Sequence, residues 1–320
     1  MKFTQFVAGM AFALVAGTAQ AEDYPSKPIT LLVGAAAGGP TDILARIVAD
    51  GLKTRLPQPV VVENRPGQGG QLANVLISNA AADGYTLAVT SGGIAALPFT
   101  GQDFKLDPVE DFTDVALMAS ATRILLASAD APFSDAKGLI EYAKANPGKV
   151  NYGDMGGTNT LDIGLLASKA GIEISSIPYA GSASQVQTAI AAGEVDIALD
   201  TYSSARNFLE QGKTKALAVG TAARYETLPD VPSIGEFVPG SESSSAWYAI
   251  IGPKGIPAEI VGKLNAEING VLEEEGNRKK IAALGLDLKT GKPADLEALM
   301  KKDSALWAEA VKATGYKAPQ

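Results

Sequence analysis

Ile29-Thr30-Leu31-Leu32-Val33-Gly34-Ala35-Ala36-Ala37-Gly38-Gly39-Pro40-Thr41-Asp42-Ile43-Leu44-Ala45-Arg46-Ile47-Val48 decides the fold. The apolar run Ile29–Val33 reads as a strand, and Ile43 to Val48 carries helical spacing. Between them lies a glycine-rich loop at a helix N-terminus. Such a loop gathers bare backbone N–H groups at the positive end of a helix dipole, where they hold an anion without a cationic side chain. The competing reading is a tight turn in which Thr41 serves only as an N-cap.

The residues before this stretch read as an export signal. Lys2 is a short positive region, Phe6 to Ala16 an apolar one, and Ala19-Gln20-Ala21 a cleavage site ahead of Glu22. The apolar run is too short for a membrane anchor. Residues 1–21 are therefore expected to be removed, with a periplasm as the destination. The 299 residues that remain carry 26 basic and 35 acidic side chains, a net charge of −9. That length suits two domains with separate cores. The acidic balance argues against nucleic acid or an anionic membrane as partner, and requires any anionic ligand to be held by local geometry. The chain has no cysteine and no histidine. Ser-His-Asp and Cys-His catalysis and the usual zinc sites are excluded, and no cofactor is called for.

Downstream, strands and helices alternate. Val60–Val62 and Tyr85–Thr90 read as strands, the second ending in Ser91-Gly92-Gly93. The pattern recurs after the apolar stretch Val115–Ser128. Val150–Tyr152 leads into the loop 153–160, and Ile174–Ile177, Val195–Leu199 and Lys215–Val219 follow as strands. Strand–helix alternation implies parallel sheets with right-handed crossovers, whose ligands sit beyond the carboxyl ends of the strands. Residues 221–246 read as a connection. Ile260, Leu264, Ile268 and Leu272 then mark one buried helical stripe, and a last helix runs from Asp295 to about Val311.

Seven stretches in order resemble one family. They are Tyr24-Pro25-Ser26-Lys27-Pro28-Ile29, Gly38-Gly39-Pro40-Thr41-Asp42, Val62-Glu63-Asn64-Arg65-Pro66-Gly67 with Gly69-Gly70, Ala82-Asp83-Gly84-Tyr85-Thr86-Leu87, Pro178-Tyr179-Ala180-Gly181, Leu228-Pro229-Asp230-Val231-Pro232-Ser233 and Gly255-Ile256-Pro257. The chain resembles the solute-binding proteins of tripartite tricarboxylate transporters, the Bug receptors typified by TctC. The resemblance implies an α/β, two-lobed periplasmic-binding-protein fold, each lobe a mixed, mainly parallel sheet flanked by helices, with two hinge crossings. Lobe one is expected to comprise residues 22–119 and 226–320, and lobe two residues 120–225. The implied role is capture of a small organic carboxylate and delivery to membrane permease subunits, as a monomer and without catalysis. Carried over by position, the lobe-one ligand contacts are Gly39, Thr41, Asp42, Ser91 and Gly92, and those of lobe two are Gly157, Thr158, Gly181 and Asp200.

This chain departs from the family pattern at Gly34-Ala35, where many members have proline and an aromatic residue, at Ser91-Gly92-Gly93, and at Gly156-Gly157-Thr158-Asn159. Ala35 leaves a pocket wall short, so the expected ligand is larger than a four-carbon diacid unless another side chain fills the space. Its body is expected near Tyr179 and Tyr202, for which partial core burial is the alternative. Asp42 either complements the helix dipole or orients a water. Arg123 and Arg206 read as ion-pair or solvated residues as against ligand contacts, and Trp247 and Trp307 as core. Two other functions compete with the receptor reading: a periplasmic hydrolase acting on a carboxylate-containing substrate, and a ligand sensor presenting to a sensor kinase.

Overall fold

Strand β1 (Ile29–Val33) is an interior strand, and this explains why it is apolar on both faces but for the half-buried Thr30. Ile29, Leu31 and Val33 join the core on one face, while Leu32 joins a second core on the other. The structure is a computed structural model that describes residues 24–67, 70–99, 106–179, 183–243 and 246–315.

The first sheet adds β2 (Val60–Asn64), β3 (Thr86–Ser91), β4 (Phe112–Ala121), β10 (Ala246–Pro253) and β11 (Asp287–Leu288), in the order β11-β4-β10-β3-β1-β2. Helices α1 (Pro40–Leu52), α2 (Gln71–Ser78), α7 (Ala258–Glu273), α8 (Glu275–Ala283) and α9 (Pro293–Thr314) accompany it. The second sheet has the order β7-β6-β8-β5-β9, from β5 (Arg123–Ser128), β6 (Val150–Asp154), β7 (Ile174–Pro178), β8 (Ile197–Thr201) and β9 (Thr214–Val219). Its helices are α3 (Ala136–Ala145), α4 (Thr158–Ala170), α5 (Ala183–Ala191) and α6 (Tyr202–Glu210).

Both sheets are mixed. The pairings β1–β2, β1–β3, β6–β7 and β6–β8 are parallel, and the other five are antiparallel. The parallel share is thus smaller than the expected majority. The reason is that β4, β5, β9 and β10 carry the chain between the sheets and so run against a neighbour. The long apolar stretch 115–128 divides at Thr122, with β4 ending in the first sheet and β5 starting in the second.

Alternating register puts a core on each face of each sheet. Ile29, Leu31, Val33, Leu44, Val48, Leu264 and Ile268 pack on one face of the first sheet, under α1 and α7. The opposite face holds Trp247 and Trp307, both fully buried, and this core also takes in Leu161 and Leu165 of α4. Helix α4 therefore belongs to the second sheet and packs on α9 of the first, where Lys169 pairs with Glu309 at 2.6 Å. Among the described residues no helix is long and apolar enough to cross a membrane.

Several short elements were not foreseen. Helices α6 and α8 bury few residues, Ala205 in the first and Asn277 and Ile281 in the second, so neither shows an apolar stripe. Strand β11 is two residues long, and the glycine-rich end of β3, read as a loop over 91–93, continues as a 3₁₀ helix, Gly92–Phe99.

Candidate functional site

Sheet register alone brings the expected site residues to facing edges. Strands β1, β2 and β3 run parallel, so Val33, Asn64 and Ser91 end at one edge of the first sheet. Strand β10 enters at that same edge, with Tyr248 opposite Ser91. In the second sheet, β6, β7 and β8 end together at Asp154, Pro178 and Thr201, and β5 begins there with Arg123 opposite Thr201. The chain passes from Ala121 to Arg123 between these two carboxyl edges. Loops at the carboxyl ends of both sheets therefore face the same crossing, the place where α/β sheets bind ligands.

On the first sheet, the loop after β1 ends in helix α1. Gly39 is the N-cap, Pro40 begins the helix, and no side chain caps it. Thr41 is half-buried in the first turn, and its backbone N–H is one of the donors an α-helix leaves open. Asp42 is buried, and four donors from three residues hold its carboxylate. Arg46 donates from Nε to Oδ2 and from Nη2 to Oδ1, both at 2.9 Å, and Gly38 N and Asn64 Nδ2 donate at 2.9 Å. Asn64 also donates to the carbonyl of Ala35 at 3.1 Å. The Arg46 hydrogen bonds, helped by Gly38 and Asn64, hold the Asp42 pKa down at about 2. Asp42 thus stays ionised and shapes the loop from beneath. Gly34 has to be glycine, because a Cβ there would lie 2.9 Å from the backbone of Gly70.

The second sheet repeats this arrangement with different residues. Asp154 ends β6 and is buried. Its Oδ1 accepts from Gly156 N and from Thr160 Oγ1, and its Oδ2 from Ser176 Oγ, all at 2.7 Å. Gly157 is the uncapped N-cap of α4. Gly38 and Gly156 both take positive φ, 89° and 78°, which turns their amides onto the aspartates and leaves the next glycine to open the helix. Arg123 stands behind the α4 terminus with only 12% of its side chain exposed. It donates to Asp162 Oδ2 at 2.8 Å, to Thr158 Oγ1 at 3.0 Å and to Asn159 Oδ1.

The remaining expected residues are placed as follows. Ser91 is exposed at the end of β3, and Gly92 is buried at the start of the 3₁₀ helix. Ala35 is half-buried against the core under α1. Asp200 is buried, accepting from Gln187 Nε2 and Thr201 N at 2.7 Å, and burial pushes its pKa up against those bonds. Tyr202 packs edge-on against Tyr225, with ring centroids 5.7 Å apart. Tyr179 borders a surface hollow with Ser184, Gln185 and Thr188 of α5. Gly181 lies outside the described residues. Arg206 pairs with Glu210 on its own helix. Sequence reasoning did not single out Asn64, Asp154 or Tyr248. Asn64 stood inside a quoted motif and Asp154 inside a quoted loop, but only the fold shows what each carboxylate or amide holds. Among the described residues no cluster of acidic side chains has the geometry to hold a metal ion.

A family model described as tripartite tricarboxylate transporter family receptor matches residues 44–316. The chain is 34% identical over 308 residues to the UPF0065 protein in the tcbD-tcbE intergenic region of Pseudomonas sp. strain P51, covering 94% of this chain and 91% of that protein. Among solved structures, it is similar to an R. palustris protein solved with adipate, at 31% identity and a TM-score of 0.75, covering 92% and 99% of the two chains. It is also similar to MatC from Rhodopseudomonas palustris with bound malate, at 29% identity and a TM-score of 0.72, covering 90% and 100%. A TctC solute-binding protein from Polaromonas without ligand gives a TM-score of 0.80 at 27% identity, covering 90% and 99%.

Proposed function

This chain belongs to the tripartite tricarboxylate transporter receptor family, and from that premise we propose that it captures a small organic carboxylate between its two lobes and delivers it to the permease subunits of such a transporter. The observation that carries this reading is the pair of uncapped helix N-termini, α1 and α4, at the facing carboxyl edges of the two sheets. Each offers backbone N–H donors and a threonine, and each sits on a buried aspartate that fixes the loop before it. An anion held there needs no net positive charge, which suits a chain of net charge −8.

In this reading the lobes comprise residues 22–119 with 226–320, and residues 120–225. The ligand carboxylate lies against Gly39, Thr41, Ser91 and Gly92, and the far end of the ligand meets Gly157 and Thr158. Asp42 and Asp200 act by holding the loops. The chain works outside the cytoplasm, exported by residues 1–21, and it returns its ligand unaltered.

A thermal-shift screen of organic acids tests the proposal, because a ligand that binds only the folded state raises the melting temperature by mass action. At least one mono- or dicarboxylate is expected to raise it and to be recovered intact. A screen in which no acid does so, or in which the acid is consumed, would overturn the reading.

A further inference from the structure

The guanidinium of Arg123 meets three acceptors around the first turns of α4: Thr158 Oγ1, Asn159 Oδ1 and Asp162 Oδ2. Arginine has five N–H donors and no acceptor. Whatever it touches must therefore accept, and this has unequal consequences for the three. Asp162 is an acceptor already, and its buried carboxylate balances the charge of Arg123. Thr158 and Asn159 can each donate or accept. Once their oxygens are committed to Arg123, the Thr158 hydroxyl proton and the Asn159 amide protons are turned away from it. Neither side chain donates to another described residue, and both are half-buried at the uncapped end of α4.

We propose that Arg123 is a positioning residue that fixes Thr158 and Asn159 as donors, so that the α4 end of the site selects ligand groups that only accept hydrogen bonds. The inference rests on the receptor reading above and narrows its substrate class. The ligand end at α4 is a carboxylate or a carbonyl, and an ammonium of equal reach is refused. The discrimination is one of hydrogen-bond direction. Asp162 offsets the arginine's charge, so Arg123 works chiefly through the two side chains it orients. An ammonium placed there would face the Thr158 and Asn159 protons, and its own could reach only the one lone pair left on each of two oxygens that already accept from the Arg123 cation; unpaired donors in a half-buried site are costly. Selectivity of this kind comes from a repulsive arrangement as much as from an attractive one.

The test uses two matched pairs of ligands that differ in one end group: adipate against 6-aminohexanoate, and terephthalate against 4-(aminomethyl)benzoate. Calorimetric titration of the full mature chain is expected to show the diacid of at least one pair binding roughly tenfold or more tighter than its amino acid. Arg123→Gln alone would strand the buried Asp162 carboxylate, so it is combined with Asp162→Asn to leave the pair neutral. Glutamine can accept as well as donate, which frees Thr158 and Asn159 to reorient. The double variant is expected to lose most of the preference, and Arg123→Lys, a donor-only replacement, to keep it. Thr158→Val, which preserves shape, is expected to weaken the diacid about fivefold and to leave the amino acid unchanged. A purely structural Arg123 would instead lower the melting temperature and weaken both members alike, leaving the ratio intact. That result, or an unaltered ratio in Thr158→Val, overturns the inference alone. Failure of the wild type to bind any acid overturns the receptor reading and this inference with it.

Discussion

Tyr225 donates its hydroxyl to Asp287 Oδ1 at 3.0 Å, joining the segment after β9 to strand β11 of the other sheet. Tyr225 also packs edge-on against Tyr202, which opens α6 just after β8, so the bond ties the second sheet's carboxyl edge to the first sheet. Removing a bond worth about 1 kcal/mol weakens that junction while the ring contact stays. Tyr225→Phe is expected to lower the melting temperature by about 2 °C. A melting temperature equal to that of the wild type would show that the bond contributes nothing to holding the two sheets together.

The α1 terminus yields a second prediction. A Cβ at Gly39 would have only the Ala36 carbonyl, 3.9 Å away, for company, and Gly39 has an ordinary extended backbone. Gly39→Val should therefore fold normally and still cover the amides that face the ligand. Thr41→Val removes one hydroxyl with little change of shape. Each is expected to weaken carboxylate binding roughly tenfold, about 1.4 kcal/mol, with the melting temperature of the free protein nearly unchanged. Wild-type affinity in Thr41→Val would reduce this loop to a turn.

Asn64→Ala addresses the same loop from beneath. It removes one donor to Asp42 and the bond to the Ala35 carbonyl. Because Asp42 remains ionised down to about pH 2, wild-type binding should hold steady between pH 7 and pH 4 as far as this group is concerned. The support Asp42 gives is present above the ordinary aspartate pKa and lost only as the pH falls through about 2. The Asn64 variant is expected to lose affinity at every pH in that range. A loss confined to the acid end would mean that Asp42 titrates in the working range.

Asp114 of β4 gives a prediction about stability. Burial, reinforced by the charge of Glu297, raises its pKa to about 7, and its Oδ1 has no partner among the described residues. Between about pH 4 and pH 7 the folded chain holds a proton that the unfolded chain has released. Stability from this group is therefore full below pH 4 and declines as the pH rises through 7. Asp114→Asn carries no such penalty. Its melting temperature relative to wild type should rise by at least roughly 2 °C on going from pH 5 to pH 8. A constant difference across that range would show that Asp114 is ionised throughout.

Much of the fold was legible because a short apolar run at β1 and a helical spacing at α1 stand on either side of a glycine loop. The β6–α4 unit again flanks a glycine loop, and both tryptophans were readable as core. Helix α6 was not legible, since Ala205 is its one buried residue, and β11 was too short to show alternation. The site was legible as a set of loops and not as a set of bonds. Asp42 and Asp154 perform the same task in two sheets, yet one sits after its glycine pair and the other before it, so no sequence repeat betrays them. Arg123 lay 35 residues from Thr158, and only the second sheet brings them together.

Ala35 bears on ligand size. Its half-buried methyl group borders the core under α1, and Tyr248, opposite Ser91 across the ladder, borders the same core from the neighbouring strand. If the Tyr248 ring closes the wall that Ala35 leaves short, the pocket is small and position 35 is silent. If the space stays open, an unfilled wall forfeits dispersion contacts that a larger ligand recovers. The second outcome is expected, because the Tyr248 side chain lies beyond Ser91 as seen from β1, with β3 in between. An aromatic acid, a longer diacid or a branched carboxylate should therefore bind more tightly than succinate. Ala35→Phe should reverse that order, weakening the larger acid roughly tenfold while sparing succinate. Calorimetric titration with succinate, adipate and benzoate on both proteins decides the matter. Tightest binding of succinate, unaltered by Ala35→Phe, would show that Tyr248 and not position 35 forms the wall.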